Sequence, residues 1–380
     1  MEEVHFSNQE RSRYNRHIII PDFGIKSQEK LAKSKVLIVG AGGLGSPLAL
    51  YLAAAGIGEI GVLDCDVVED SNLQRQVLFD TDSLGKSKSF EAMIRLKRLN
   101  PYIKVRAHDV KLTTENALDL LQDYDVIADG TDNFPTRYLV NDACVILNKI
   151  NVYASIYQFE GQVSVFNYLN ADGTRGPNYR DLFPVPPDPS RVQNCSEAGV
   201  LGVLPGIIGS MQALEVIKVL AQIGDVLCGK FYTFNALSFE SMTYNIKKNF
   251  DNELIIKSGL IDYEQFCGMP AIEKKLKEVN PSEIHEWQQQ GLAVQIIDVR
   301  EPFEYELVNI GGELVPLSTV LDNRAKISNV ARVVVLCKMG GRSRSAIKLL
   351  EEKYGLPNLY NLRGGIINYI TELKLDLPIY

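Results

Sequence analysis

Two cysteines stand where a thiol could do chemistry. Cys337 opens the stretch "CKMGGRS", followed by glycines, Arg342 and a serine. Glycines let backbone N–H groups turn toward one point, and a helix start adds positive potential, so this stretch suits a thiolate or persulfide anion. Cys195 lies in "QNCSEAGVLG", a polar run leading into an apolar helix, and a helix N-terminus raises the thiolate fraction of such a residue. Either could instead be a small residue on a turn. If both work, they belong to one thiol reaction.

A third constellation suits phosphate. Gly40, Gly42 and Gly45, with Gly43 among them, satisfy G-x-G-x-x-G where the apolar run "KVLIV" meets the helix "SPLALYLAAAG". Asp64, at the end of the next apolar run, can hold ribose hydroxyls. The glycines do not separate NAD from ATP, so the neighbouring charges must. Asn72, Arg75 and Gln76 follow that run, Lys88 stands at a helix start, and Asp132 sits in "DGTDN" at a strand's carboxyl end. Cations neutralise phosphate charge and a carboxylate can hold Mg²⁺, which points to triphosphate chemistry. Hydride transfer needs a proton donor beside a nicotinamide, and His5, His17, His108 and His285 offer no obvious one.

The elements that position these groups follow from periodicity. Residues 28–62 read helix, strand, glycine turn, helix, strand, and "DYDVIADGTDN" is a further buried strand. Such alternation predicts an α/β fold with a doubly wound, Rossmann-like sheet. "INVYASIYQFEGQVSVFNY" and "KFYTFNALSFESMTYNIKK" alternate and are rich in aromatic and β-branched residues, which predicts antiparallel strands extending that sheet. A Pro- and Asp-rich irregular stretch and the apolar helix "GVLPGIIGSMQALEVIKVLAQIG" lie between them. Residues 263–280 are polar and end in Asn-Pro, which predicts a linker between a domain over 1–262 and a small α/β domain over 281–380.

Bulk properties narrow the class. The 380 residues suggest two or three domains. A net charge of −7 argues against a nucleic-acid or membrane-surface binder. No apolar run predicts a transmembrane helix or a signal peptide. The six cysteines are scattered without a CxxC pair, so a reducing, cytoplasmic setting is expected.

"RYNRH", "GAGGLGSPLALYLAAAG", "DCDVVEDSNLQRQ", "DGTDN" and "CSEAGVLGVLPGIIGSMQALEVIK" together resemble the MoeB/ThiF family over roughly residues 8–250. These are adenylyltransferases that activate ubiquitin-like sulfur carriers. The resemblance implies a homodimer that binds ATP and Mg²⁺ and adenylates the C-terminal Gly-Gly carboxylate of such a carrier. It implies that Asp64 binds ribose and that Asn72, Arg75 and Lys88 contact phosphates with Gln76 beside them. Asp132 would hold Mg²⁺, and Arg16 would reach the phosphate site of a second subunit. Cys195 aligns with a crossover-loop cysteine that forms a thioester or persulfide in some members. Many members also hold a structural zinc with two CxxC pairs. Here those positions read Asn178, Asp181, Glu264 and Cys267, so no zinc is expected and packing alone should hold that region.

"VVVLCKMGGRSRSAIKLL", with "IIDVREPFEYE" and "NLYNLRGGIINYI" flanking it, resembles the rhodanese active loop C-x-x-G-x-R-S over about 281–380. This implies a persulfide on Cys337, with Arg342 adding positive potential, loaded by a donor such as a cysteine desulfurase or thiosulfate. Asp298 and Arg300 are expected to form a structural ion pair. On one chain the two resemblances imply adenylation, then attack by the Cys337 persulfide, then release of a thiocarboxylate with help from Cys195. The product would serve molybdopterin or thiamine biosynthesis or tRNA thiolation. The competing readings are an NAD-dependent oxidoreductase with an accessory rhodanese domain and a non-catalytic carrier-binding scaffold. "NLQRQ" with Lys88 disfavours the first, and the presence of Asp132 and Arg75 the second.

Overall fold

The apolar runs become strands because they are buried on both faces, as a parallel sheet covered by helices requires. The computed structural model describes residues 5–187, 199–268 and 276–380. It divides into two units, one up to residue 270 and one from residue 271.

The first unit carries an eight-stranded sheet in the order β3-β2-β1-β4-β5-β6-β7-β8. Its strands are β1 (Lys35–Val39), β2 (Glu59–Leu63), β3 (Lys104–His108), β4 (Val126–Asp129), β5 (Ile150–Tyr157), β6 (Glu160–Phe166), β7 (Lys230–Asn235) and β8 (Ser241–Asn245). Its helices are α1 (Asn8–Ile18), α2 (Gly24–Lys33), α3 (Gly45–Ala55), α4 (Lys88–Leu99), α5 (Ala117–Leu121), α6 (Phe134–Ile146), α7 (Tyr179–Leu182), α8 (Leu204–Ala221), α9 (Phe250–Lys257) and α10 (Tyr263–Phe266). Strand β1 lies parallel between β2 and β4, so the chain reverses its winding at β1. Ligands of such sheets bind at the carboxyl ends of the strands at that point. Strand β5 still runs parallel to β4 and turns antiparallel only toward β6. The antiparallel extension therefore starts one strand later than the aromatic pattern predicts.

Helix α3 follows the glycine turn because its Ala and Leu residues favour helix and can pack tightly. Leu48 and Leu52 are fully buried, each contributing about 2 kcal/mol from apolar burial. The helix ends at Gly56 with φ +84°, where a Cβ would lie 2.6 Å from the Tyr14 ring. Any side chain there would strain the backbone and displace α1. Among the described residues one helix, α8, is long and apolar enough to cross a membrane. It instead buries Ile208, Ala213 and Val216 in the core.

The expectation of packing alone between 178–183 and 263–267 is overturned. Arg180 makes a buried ion pair with Asp142 of α6, 2.6 Å from Nη2 to Oδ2, and the Tyr263 hydroxyl donates to the same carboxylate at 2.8 Å. The Arg180 guanidinium also lies 4.5 Å from the Phe266 ring centroid. Removing one member of a buried pair leaves the other charge uncompensated, which costs about 3–5 kcal/mol. Tyr263 and Cys267 are buried in this core. The linker assigned to 263–280 therefore begins too early, and 269–275 lie outside the described residues.

The second unit has an all-parallel five-stranded sheet in the order β11-β10-β12-β13-β9. Its strands are β9 (Glu278–Val279), β10 (Val294–Asp298), β11 (Glu313–Leu314), β12 (Arg332–Leu336) and β13 (Leu359–Leu362), with helices α11 (Pro281–Gln289), α12 (Pro302–Leu307), α13 (Gly341–Tyr354) and α14 (Gly365–Glu372). Val333 to Leu336 in β12 are fully buried, the core position of a central strand. Strand β9 belongs to this sheet, so the unit begins before the expected boundary at 281. A two-residue strand has no periodicity that could reveal it.

Candidate functional site

The glycine turn after β1 brings most of the expected phosphate-site residues together. Gly40 has φ +93°, and a Cβ there would sit 3.1 Å from the Gly130 carbonyl oxygen. The two glycines thus let the turn after β1 and the turn after β4 lie back to back. Ala41 N–H donates to Asp64 Oδ2 at 2.8 Å, tying the acid at the end of β2 to the loop. Burial pushes the Asp64 carboxyl above its ordinary value, against hydrogen bonds from Asp66 and Ala41 and the charge of Lys88. The Arg75 stem lies 3.5 Å from a Cβ built on Gly43, and Gln76 Nε2 lies 3.9 Å from one built on Gly42. Lys88, buried at the start of α4, reaches Asp66 at 3.2 Å.

The donors of this loop are left open. Among the described residues the N–H groups of Gly42 and Gly43 make no hydrogen bond, and Gln76 Oε1 is buried without a partner. These are the features a phosphate chain would use. Asn72 Oδ1 accepts from Glu69 N–H, and Arg75 donates to the Ser71 carbonyl, so both are held near the loop by their own turn. Asp132 is exposed and makes no hydrogen bond or ion pair among the described residues. Arg16 lies exposed on α1, and no contact joins it to the loop among those residues. Cys195 lies outside the described residues.

One group near this site is missed by the sequence reading. Arg137 is buried under the loop that carries Asp132 and donates to the Thr131 carbonyl at 3.0 Å. Thr131 N–H and its hydroxyl donate to Asp129 Oδ1 at 3.0 and 2.6 Å. Three contacts on Thr131 fix the backbone beside Asp132. Arg137 reads as an ordinary helix-face arginine, and no local signal marks it as internal.

The fold-family zinc does not fit this chain. Asn178 and Asp181 form a capping box on α7, Glu264 reaches Lys111 at 3.5 Å, and burial pushes the Cys267 thiol up to about 11. Structural zinc needs thiolate or imidazole ligands, and three of these four positions offer neither.

The second site is the turn between β12 and α13. Gly340 has φ +97° and its N–H donates to Cys337 Sγ at 3.1 Å. Cys337 is 2% exposed. A Cβ on Gly365 would fall 2.4 Å from the carbonyl oxygens of Cys337 and Lys338, and Ile366 N–H donates to the first at 2.9 Å. The run "LRGG" therefore forms the back wall of the thiol loop, and only glycine permits that approach.

Arg342 is held by a carboxylate, and its charge also acts on the Cys337 sulfur. It makes a two-pronged pair with Glu304 at 2.6 and 2.7 Å, and both side chains are nearly buried. Burial alone would raise the Glu304 carboxyl, but hydrogen bonds from Arg342 hold it below its usual value. The expected Asp298–Arg300 pair is present, and Arg300 also donates to the Val308 carbonyl and to the Tyr380 hydroxyl. That hydroxyl donates to Glu304 Oε1 at 3.0 Å, and burial pushes it up to about 12. Glu304 and Tyr380 are missed at sequence level. Glu304 shows only as the third residue of a Pro-led helix start, a cap signal.

An open phosphate-type loop in one unit and a thiol cradle in the other define an enzyme class that couples nucleotide chemistry to sulfur chemistry. Comparison with known proteins agrees. Residues 14–254 match the ThiF family and residues 280–372 match the rhodanese-like domain. "Probable adenylyltransferase/sulfurtransferase MoeZ" of Mycobacterium tuberculosis is 43% identical over 98% of this chain and 96% of its own length. "Adenylyltransferase and sulfurtransferase MOCS3" of Anopheles gambiae is 41% identical over 98% of this chain and 90% of its own. Among solved structures, PaaA superposes with a TM-score of 0.56 at 26% identity, covering 66% of this chain and 77% of that one. E. coli MccB with ATP shares the fold at 24% identity and a TM-score of 0.56, covering 64% and 73%. The chain belongs to the ThiF family and carries a C-terminal rhodanese-like domain. It is an enzyme of the adenylyltransferase and sulfurtransferase type.

Proposed function

We propose that the chain converts the C-terminal Gly-Gly carboxylate of a ubiquitin-like sulfur carrier into a thiocarboxylate. In the first step a carboxylate oxygen attacks the α-phosphorus of ATP, forming the acyl-adenylate and releasing pyrophosphate. The open N–H groups of Gly42 and Gly43, with Arg75, Lys88 and Gln76, hold the phosphates, and Asp64 holds the ribose. Asn72 supports this set through its turn. Asp132 is suited to Mg²⁺, since that ion takes one or two carboxylates and draws its other ligands from phosphate and water. Bound there, Mg²⁺ would neutralise phosphate charge.

In the second step a terminal persulfide sulfur on Cys337 displaces AMP and forms an acyl disulfide. A second thiol, assigned to Cys195, then attacks Cys337 Sγ. This frees the thiocarboxylate and leaves a disulfide, which an external dithiol reduces. Arg16 is open to a second copy, which supports a homodimer. The described cysteines are all free, which supports a reducing, cytoplasmic compartment. Thiosulfate or a cysteine desulfurase persulfide would load Cys337.

The observation that carries this reading is the Cys337 cradle on a ThiF-family chain: one sulfur, met by a backbone N–H, at a glycine turn. The test mixes the protein with ATP, thiosulfate and each Gly-Gly carrier of molybdopterin, thiamine and tRNA-thiolation chemistry, then weighs the carriers. One should gain AMP without a sulfur donor and exchange oxygen for sulfur with it. If no carrier acquires either group, the reading fails.

A further inference from the structure

Behind the thiol loop lies a buried chain of polar groups that the reaction above does not use. Ser343 and Asn361 are both fully buried. The Ser343 hydroxyl lies 3.5 Å from Cys337 Sγ and 2.6 Å from Asn361 Oδ1. Asn361 Nδ2 donates to Glu278 Oε1 at 3.3 Å, because the register of β13 on β9 sets the two residues side by side. Arg344 reaches the same Glu278 oxygen at 2.7 Å. Burial alone would raise the Glu278 carboxyl, but hydrogen bonds from Arg344 and Asn361 hold it below its usual value, so it is ionised at neutral pH.

The donor and acceptor count gives this chain a direction. An ionised carboxylate only accepts, so it must face the amide nitrogen of Asn361. The amide oxygen then faces Ser343 and can only accept. A hydroxyl has one proton, and at 2.6 Å that proton goes to Asn361. What Ser343 turns toward Cys337 is therefore a lone pair. It can accept from the thiol S–H but cannot donate to the sulfur anion. The Gly340 N–H is then the donor the loop gives to that anion.

We propose that Asn361, oriented by Glu278, is a positioning residue for the step in which the Cys337 thiolate takes up sulfur from its donor: it withholds the Ser343 proton from Sγ. A sulfur anion with fewer donors is less stabilised and a stronger nucleophile. The charged groups around the loop do not replace this control. Lys338 lies in the loop over the Tyr380 ring, Arg342 is paired with Glu304 of α12 and acts on Cys337 by charge without a hydrogen bond to it, Arg344 is paired with Glu278, and Arg363 also acts on Glu278.

The experiment measures the pH profile of iodoacetamide labelling of the full-length protein, mapped to Cys337 by mass spectrometry. In Asn361→Leu the freed hydroxyl should turn to the sulfur. The midpoint should fall by about one pH unit, the worth of one charge-assisted hydrogen bond. The limiting rate at high pH should fall about threefold. Adding Ser343→Ala to that variant should return the midpoint to that of Ser343→Ala alone. Ser343→Ala alone should leave the midpoint unchanged or lower, since it removes only an acceptor. An upward shift in Ser343→Ala overturns the proposal, even where Asn361→Leu fails to fold. So does an unmoved midpoint in Asn361→Leu, or a double variant whose midpoint lies below that of Ser343→Ala alone. The proposal rests on Cys337 being the sulfur-bearing thiol. That reading fails separately, if Cys337→Ser still yields thiocarboxylate.

Discussion

The two loops share a plan and differ in how they treat their donors. Each is a glycine-rich turn from a central buried strand into a helix: β1 to α3, and β12 to α13. In the first, Gly42 and Gly43 keep their N–H groups open, and Asp132, in the turn that packs against Gly40, stands unpaired among the described residues. In the second, Gly340 already donates to Sγ, and Arg342 is bound by Glu304. A loop that must receive a large polyanion leaves its groups for the ligand to complete. A loop that must keep one sulfur reactive satisfies its own charges and adjusts the sulfur with few contacts.

The sharpest way to break this contrast is to disable each loop alone. Cys337→Ser should abolish thiocarboxylate formation and leave carrier-dependent ATP–pyrophosphate exchange intact. Asp132→Ala should lower exchange by about 10²- to 10³-fold, the scale for losing one charge-stabilising group, with the folded structure unchanged by circular dichroism. Loss of both activities in either variant would show that the loops are not separate devices.

A smaller effect tests the support under the first loop's unit. Asp142→Asn strands the buried Arg180 charge and should cost about 3–5 kcal/mol in denaturant melts. Cys337 labelling should be unaffected. A paired Asp142→Leu, Arg180→Met variant should recover much of the loss. Equal losses in single and paired variants would mean that the ion pair itself, and not the stranded charge, carries that stability.

In the second unit, Gly365→Ala drives a methyl into two carbonyl oxygens at a left-handed backbone position. It should cost about 1–3 kcal/mol and slow Cys337 labelling. The smallest effect is in pH. Glu304 and Glu278 both sit below the usual carboxylate range in the folded chain. Their contribution is therefore fully present above that range and is lost as pH falls through the lowered values. The second unit's melting temperature should drop as pH falls below the usual carboxylate range and hold steady above it. Glu304→Gln should be less stable at neutral pH and show a flatter acid profile.

What could be read in advance is what is local. The glycine turn, Asp64 at a strand end and the thiol loop are contiguous signals, because a turn, a strand end and a helix start are set by neighbouring residues. Asp142 with Arg180, Glu304 with Arg342 and Asn361 with Glu278 are 38, 38 and 83 positions apart. Such pairs arise only when strands and helices are stacked, so composition and spacing carry no trace of them. The expectation of packing alone around Arg180 failed for this reason. Asp298 and Arg300 were legible because two residues of one turn can meet without tertiary help.

The placement of β9 bears on how this protein could be divided. Trimming the sulfur-handling portion to begin at Pro281 would discard Glu278 and the Lys277 carbonyl that receives Asn361 N–H, baring one margin of its sheet. Stopping at Glu372 would remove the Tyr380 ring from Arg300 and Glu304. A fragment cut at both places would keep every atom of the cysteine turn and still present altered sulfur, a warning for anyone comparing isolated halves with the intact chain.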